Sequence, residues 1–279
     1  MGATTIGWTD ETWNPVTGCT KVSAGCKHCY AERITERWGR DFAKIELHES
    51  RLRQPLTWKK PRMVFVNSMS DQFHESVPFE FIDKCFAAMA CSRRHRYQIL
   101  TKRPARMAEY LCRKGVAENI AWTTNFVIKQ ESHYGESVPW PLPNVWLGTS
   151  VENQAAADER IPHLLRCPAA VRFLSVEPLL GPVNLGDCEA WHTEDTGALP
   201  PGSDPRLDID WVIIGGESGP GHRPMQIDWL RSIVDQCKAA GVPVFVKQDS
   251  GPRPGQQGRI PDDIWALKEF PKPTRPNSG

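Results

Sequence analysis

Short apolar runs alternate with helix-periodic segments along most of this chain. The runs at residues 63–67, 97–100, 145–148, 171–175, 211–214 and 242–246 are nearly continuous rather than alternating. Strands buried on both faces have that pattern. A weaker run lies near residues 13–17. Between the runs, Ile82, Cys85, Phe86 and Met89 fall at i, i+3, i+4 and i+7, and so do Leu230, Ile233, Val234 and Cys237. Gly241 follows the second set where a helix-ending glycine belongs. Tyr30, Ile34 and Trp38 form a further stripe, and Pro104 can open a short helix carrying Met107, Tyr110 and Leu111. Pro162 interrupts the helical pattern that follows Asn153. Strand–helix–strand alternation repeated about six times implies a parallel sheet with right-handed crossovers. The expected fold is α/β, a complete or partial parallel β/α barrel, with an open doubly wound sheet as second choice.

Two stretches fit neither pattern and read as insertions, near 115–144 and 186–210; the expected organisation is one barrel domain over 1–270 with a flexible tail over 271–279. The length of 279 residues suits one such barrel. Basic and acidic residues nearly cancel, 34 against 33, so any nucleic-acid or membrane surface has to be local. Nine cysteines, an odd number in a chain this long, argue against a disulfide framework. Met1 to Asp10 hold no apolar signal segment, and no apolar run approaches the ~20 residues needed to cross a bilayer. These features predict a soluble cytoplasmic protein with no membrane partner.

Polar residues gather just after the runs. Asp71 follows the run at 63–67, Lys102 and Arg103 the next, and Ser150, Glu152 and Asn153 the third. Ser175 and Glu177 follow the fourth, then Gly215, Gly216 and Glu217, then Lys247, Gln248 and Asp249. In a parallel sheet these positions converge on one face, where sites in such folds sit. The plainer reading is helix capping, which suits Asp71. Glutamate recurring after three successive strands favours a site.

The sharpest local signal is Cys19, Cys26 and Cys29, spaced C-x6-C-x2-C between the first strand and the first helix, with Gly18 and Gly25 in the same loop. Three thiolates can hold three irons of a 4Fe-4S cluster and leave the fourth open. The amino and carboxylate groups of S-adenosylmethionine can fill that corner in radical chemistry. Zinc is the rival, but His28 lies inside the C-x-x-C and is poorly placed to join the same tetrahedron. Cys85 and Cys237 lie on apolar helix stripes and read as core; Cys91, Cys112, Cys167 and Cys188 carry no assignment.

The chain resembles the three-Cys-motif family of phage and prophage proteins of unknown function, which is itself similar to radical S-adenosylmethionine enzymes. The resemblance rests on residues 6–15, the cysteine motif with Tyr30 to Glu32, and 65–71, 100–104, 145–153, 172–182, 211–220 and 245–248. It implies the barrel and the cluster, and it supplies no substrate. The wider radical-enzyme pattern spaces its cysteines C-x3-C-x2-C with an aromatic before the last; here the first gap is six and His28 stands there. Where family members often carry Trp after Lys-Gln, this chain has Asp249.

The expected roles follow. Cys19, Cys26 and Cys29 ligate the metal; Ser150, Glu152, Asn153, Ser175 and Glu177 contact S-adenosylmethionine; Lys102, Arg103 and Gln248 bind substrate; Glu217 and Lys247 act in catalysis. A reductant protein is the expected partner. A second reading is an iron–sulfur protein that binds nucleic acid or serves repair without radical chemistry. It is motivated by Arg51, Arg53, Trp58, Lys59, Lys60 and Arg62, and by Arg93, Arg94 and Arg96, against the alternative of a plain solvated surface. A third is a hydrolase holding magnesium or manganese on Asp71, Glu152, Glu177 and Glu217, which leaves the cysteines unexplained.

Overall fold

The apolar runs become the strands of one curled parallel sheet. The structure is a computed structural model and describes residues 4–126, 136–186 and 209–272. In chain order, β1 (Glu11–Trp13) and β2 (Val16–Thr17) precede α1 (Tyr30–Arg37) and β3 (Glu46–Leu47). Then come β4 (Met63–Val66), α2 (Phe79–Cys91), β5 (Arg96–Thr101), α3 (Pro104–Leu111) and α4 (Val116–Phe126). They are followed by β6 (Val145–Ser150), α5 (Gln154–Leu165), β7 (Val171–Val176), β8 (Trp211–Gly215), α6 (Ile227–Ala240), β9 (Val244–Gln248) and the short α7 (Asp262–Trp265).

Seven strands pair in the order β1-β4-β5-β6-β7-β8-β9, every pair parallel. Each crossover therefore steps the same way along the sheet. A doubly wound sheet would reverse at a switch point, so the second-choice fold is excluded. The result is a half-barrel, with β1 and β9 as its edges. Residues 267–269 cover the β9 edge, where Val246 N–H donates to Leu267 O and Glu269 N–H to Val244 O. An edge strand left bare would invite pairing with another chain.

Alternation within each strand separates two cores. Outward residues such as Val64, Val66, Ile99, Leu147, Leu174, Val212 and Ile214 join the buried stripes of α2, α3, α5 and α6 in one large cluster. Inward residues Phe65, Trp146, Phe173, Trp211, Ile213 and Phe245 close on Trp8 in a second, aromatic cluster. Burying each such ring contributes about 1.5–3 kcal/mol. Gly148 leaves the space that Phe173 fills, because a Cβ there would stand 2.5 Å from the ring. The rings floor the half-barrel, and the inward positions above them are polar: Ser150, Ser175 and Lys247.

Local departures have physical causes. α5 runs through Pro162, since its buried face (Ala157, Ile161, Leu164, Leu165) holds one further turn on the core despite the lost hydrogen bond. The Tyr30–Trp38 stripe lies outward, both rings exposed. Part of the stretch expected as an insertion near 115–144 is α4, which packs against α2. Residues 127–135, most of the second expected insertion (187–208), Cys188 and most of the expected tail (273–279) lie outside the described residues. Cys85 and Cys237 are fully buried. No helix among the described residues is long and apolar enough to cross a membrane.

Candidate functional site

The loop carrying the three cysteines lies across the carboxyl ends of the strands. Gly18 starts it in a left-handed conformation (φ 90°), with its amide donating to Met69 O. A Cβ there would stand 2.1 Å from Lys44 O, so only glycine fits. Further along, Gly25 N–H donates to Glu152 Oε1 at 3.3 Å, just beyond β6. His28 Nδ1 meets Glu217 Oε2 at 3.0 Å, beyond β8. The Tyr30 hydroxyl donates to Ser68 O beyond β4, and Arg33 Nη2 to Ser218 O. The loop and the start of α1 thus touch the ends of β4, β5, β6 and β8, the β5 end through Arg103.

Arg103 is buried and spends its guanidinium on this loop and its neighbours. Nη2 donates to Thr20 O (3.1 Å) and Thr20 Oγ1 (2.9 Å), Nε to Glu75, and Nη1 approaches both Cys19 Sγ and Asp71 Oδ2 at 3.5 Å. Asp71 also accepts from Phe73 N, Thr101 Oγ1 and Lys102 N, so its work is chiefly to shape the turns after β4 and β5. Burial and the charge of Asp71 push the Cys19 thiol up to about 11, against the pull of Arg103. Cys26 ends a 3-10 turn (Ala24–Cys26), and Cys29 is the residue before α1. All three thiols are free and half-buried. Among the described residues, no three or more His, Cys, Asp or Glu side chains are grouped to hold a metal ion.

Around the mouth each glutamate has its own cation. Glu152, almost fully buried, pairs with Arg160 Nη1 at 2.9 Å. Burial opposes its ionisation, but Ser23, Arg160 and Lys102 together hold it below the usual carboxylate range. Glu177 accepts from Lys247 Nζ at 2.6 and 2.8 Å and from Gln248 Nε2 at 3.2 Å. Glu217 accepts from the Arg223 backbone and guanidinium as well as facing His28. Burial would raise the Glu217 pKa; these hydrogen bonds outweigh it and bring it to about 2. Gly216 lets this turn pass close to β9, since a Cβ would stand 2.3 Å from Ser250 N.

The residues singled out in the sequence fall into distinct positions. Lys102 Nζ donates to Ser150 Oγ at 3.2 Å. Ser175 is buried on the inner face beside them in register. Asn153 caps α5, its side chain accepting from Ala156 N at 3.0 Å. Gln248 also donates to Gly216 O and accepts from Gly255 N, and Asp249 is held by Arg259. His28 faces Glu217. Asp71, Glu152, Glu177 and Glu217, the set expected of a hydrolytic metal site, are neutralised by four different cations.

Several participants were not singled out from the sequence. Arg160 sits on the buried face of α5 with Ala156, Ala157, Ile161 and Leu164, and a charge at a core position was the available signal. Arg223 and Glu75 left none. Asn67 takes a left-handed φ of 60°, and its side chain accepts from Val16 N, fastening the start of β2 to the end of β4.

A family model described as Protein of unknown function (DUF5131) matches residues 3–260. That agrees with the expected membership of a family of unknown function. No curated protein and no solved structure matches the chain.

Proposed function

The chain belongs to the family described as Protein of unknown function (DUF5131), and from this site we propose that it is an iron–sulfur enzyme of the radical S-adenosylmethionine type. Cys19, Cys26 and Cys29 would hold a 4Fe-4S cluster at the mouth of the half-barrel. The observation that carries the reading is the anchoring of their loop across the strand ends through Arg103, Glu152 and Glu217. The donor set fits such a cluster, because three soft thiols can each serve a different iron. With S-adenosylmethionine at the open iron, the cluster would supply one-electron radical chemistry.

The chain's own residues then have definite tasks. Arg103 fixes Thr20 and reaches Cys19, so the first ligand is held from β5. Glu152 and Glu177, each paired with a cation, offer carboxylate oxygens as acceptors for ammonium and hydroxyl groups, with Ser150 and Ser175 beside them. Lys102, whose described partner is a hydroxyl, is the cation most available to an anionic substrate. Gln248 and Lys247 orient Glu177, and Glu217 positions His28. A reductant protein is the partner this chemistry requires.

The test is anaerobic reconstitution with iron and sulfide, then dithionite and S-adenosylmethionine. Release of 5′-deoxyadenosine by the native chain, lost in Cys26→Ala, is the expected result. A full cluster without any release would remove the enzymatic half of the proposal.

A further inference from the structure

The amino ends of the strands form the pole opposite the cysteine loop, and charge is distributed unevenly there. The residues leading into β6, β7 and β9 are uncharged (Pro143 and Asn144, Ala169 and Ala170, Val242 and Pro243), and Asp210 precedes β8. The residues leading into β4 and β5 are Lys59, Lys60 and Arg62, and Arg93, Arg94 and Arg96. These two basic stretches lie some thirty positions apart in sequence. In the fold β4 and β5 are neighbours, with Met63 opposite Arg96 in register and Arg96 N–H donating to Arg62 O at 2.9 Å.

A rigid scaffold holds the two stretches together. His95 is buried, with Nε2 at 3.1 Å from Pro55 O, and stacks edge-on against Trp58 at 5.5 Å. Arg62 lies over the Trp58 ring at 5.3 Å, and Arg96 over the Trp146 ring at 5.7 Å. Glu11 is committed to Arg62, and Asp10 accepts from the Met63 amide. Lys59, Lys60 and Arg94 are exposed and meet no carboxylate among the described residues. The charges nearly cancel over the whole chain, yet Lys59, Lys60 and Arg94 make a local excess of like charge here that an anion would relieve.

We infer that this corner binds the phosphodiester backbone of a nucleic acid. The contact is to phosphate and so carries no sequence reading. Trp58 stiffens the platform, covered by Arg62 on its ring. Because the corner lies at the far pole from the cysteines, it anchors the polymer without entering the site, and the inference stands whether or not a cluster is bound.

The experiment is fluorescence anisotropy with labelled duplex DNA, single-stranded DNA and RNA, titrated with the full chain between about 50 and 200 mM salt. The native chain is expected to bind at least one of them with log affinity falling linearly in log salt, by a slope near −0.9 per phosphate contact for duplex or about −0.7 for single strands. The double reversal Lys60→Glu/Arg94→Glu, one residue from each stretch, should weaken binding at least tenfold and flatten the slope. Arg231→Glu/Lys238→Glu, an equal charge change on exposed positions of α6, should leave both unchanged. Equal effects from the two pairs, no binding at low salt, or binding only to anionic lipid vesicles would overturn the inference. An unchanged thermal midpoint in the reversed variants separates lost binding from lost folding.

Discussion

At the scale of single residues, the site is built from ionised groups that the fold has made dependent on each other. Glu217 is the clearest. Its folded pKa, about 2, lies below its ordinary value of 4.5. Its contribution to stability is therefore complete above the ordinary value and disappears as pH falls through the folded one. Denaturant unfolding measured between about pH 4.5 and 2 should show a loss of stability in the native chain that is smaller in Glu217→Gln. The buried pair of Glu152 and Arg160 makes a larger demand. Arg160→Leu should cost about 3–5 kcal/mol in urea unfolding, and adding Glu152→Gln should recover part of it, because the cost comes from the stranded charge. Packing sets a third case. Gly148→Ala places a methyl 2.5 Å from Phe173, and should lower stability by about 1–3 kcal/mol without touching any polar group of the site.

At the scale of elements, the cysteine loop is a strap held by a few distant hydrogen bonds. Arg103→Gln removes its main tie to β5. Deuterium uptake over residues 18–29 should then rise at least severalfold while uptake in β6 and β7 stays the same; unchanged uptake would mean that Glu152 and Glu217 hold the loop without help. The same contrast explains what was legible in the sequence. β6, β7 and β8 are buried on both faces, so their apolar runs announced them to within two residues. β1 carries Glu11 and Thr12 and was only faintly marked. The strand-end positions of Glu152, Glu177, Glu217 and Lys247 were legible because a parallel sheet collects such ends on one face. Their partners were not, since Arg103 with Cys19 and Arg223 with Glu217 depend on how loops close in space. α4 was missed because its buried face mixes Val116, Ile120 and Ala121 with Thr123 and Thr124, so no clean apolar stripe marks it.

At the scale of the whole molecule, the half-barrel sets the proposed chemistry at one rim and the proposed phosphate contact at the other. The polar mouth holds all three motif cysteines and four paired carboxylates, the aromatic floor seals the interior beneath them, and the cationic corner lies beyond that floor. The order of the strands, one winding direction from β1 to β9, is what separates these poles. A doubly wound sheet would have put helices on both faces and left no enclosed floor.

The most direct measurement is an iron and acid-labile sulfide assay on anaerobically reconstituted protein, with EPR spectra recorded before and after S-adenosylmethionine is added. The account predicts about four irons and four sulfides per chain, lost when Cys19, Cys26 and Cys29 are all replaced by Ala, and a reduced-cluster spectrum that changes on adding the cofactor. Protein that takes up zinc alone, or that keeps its iron without those cysteines, would contradict it.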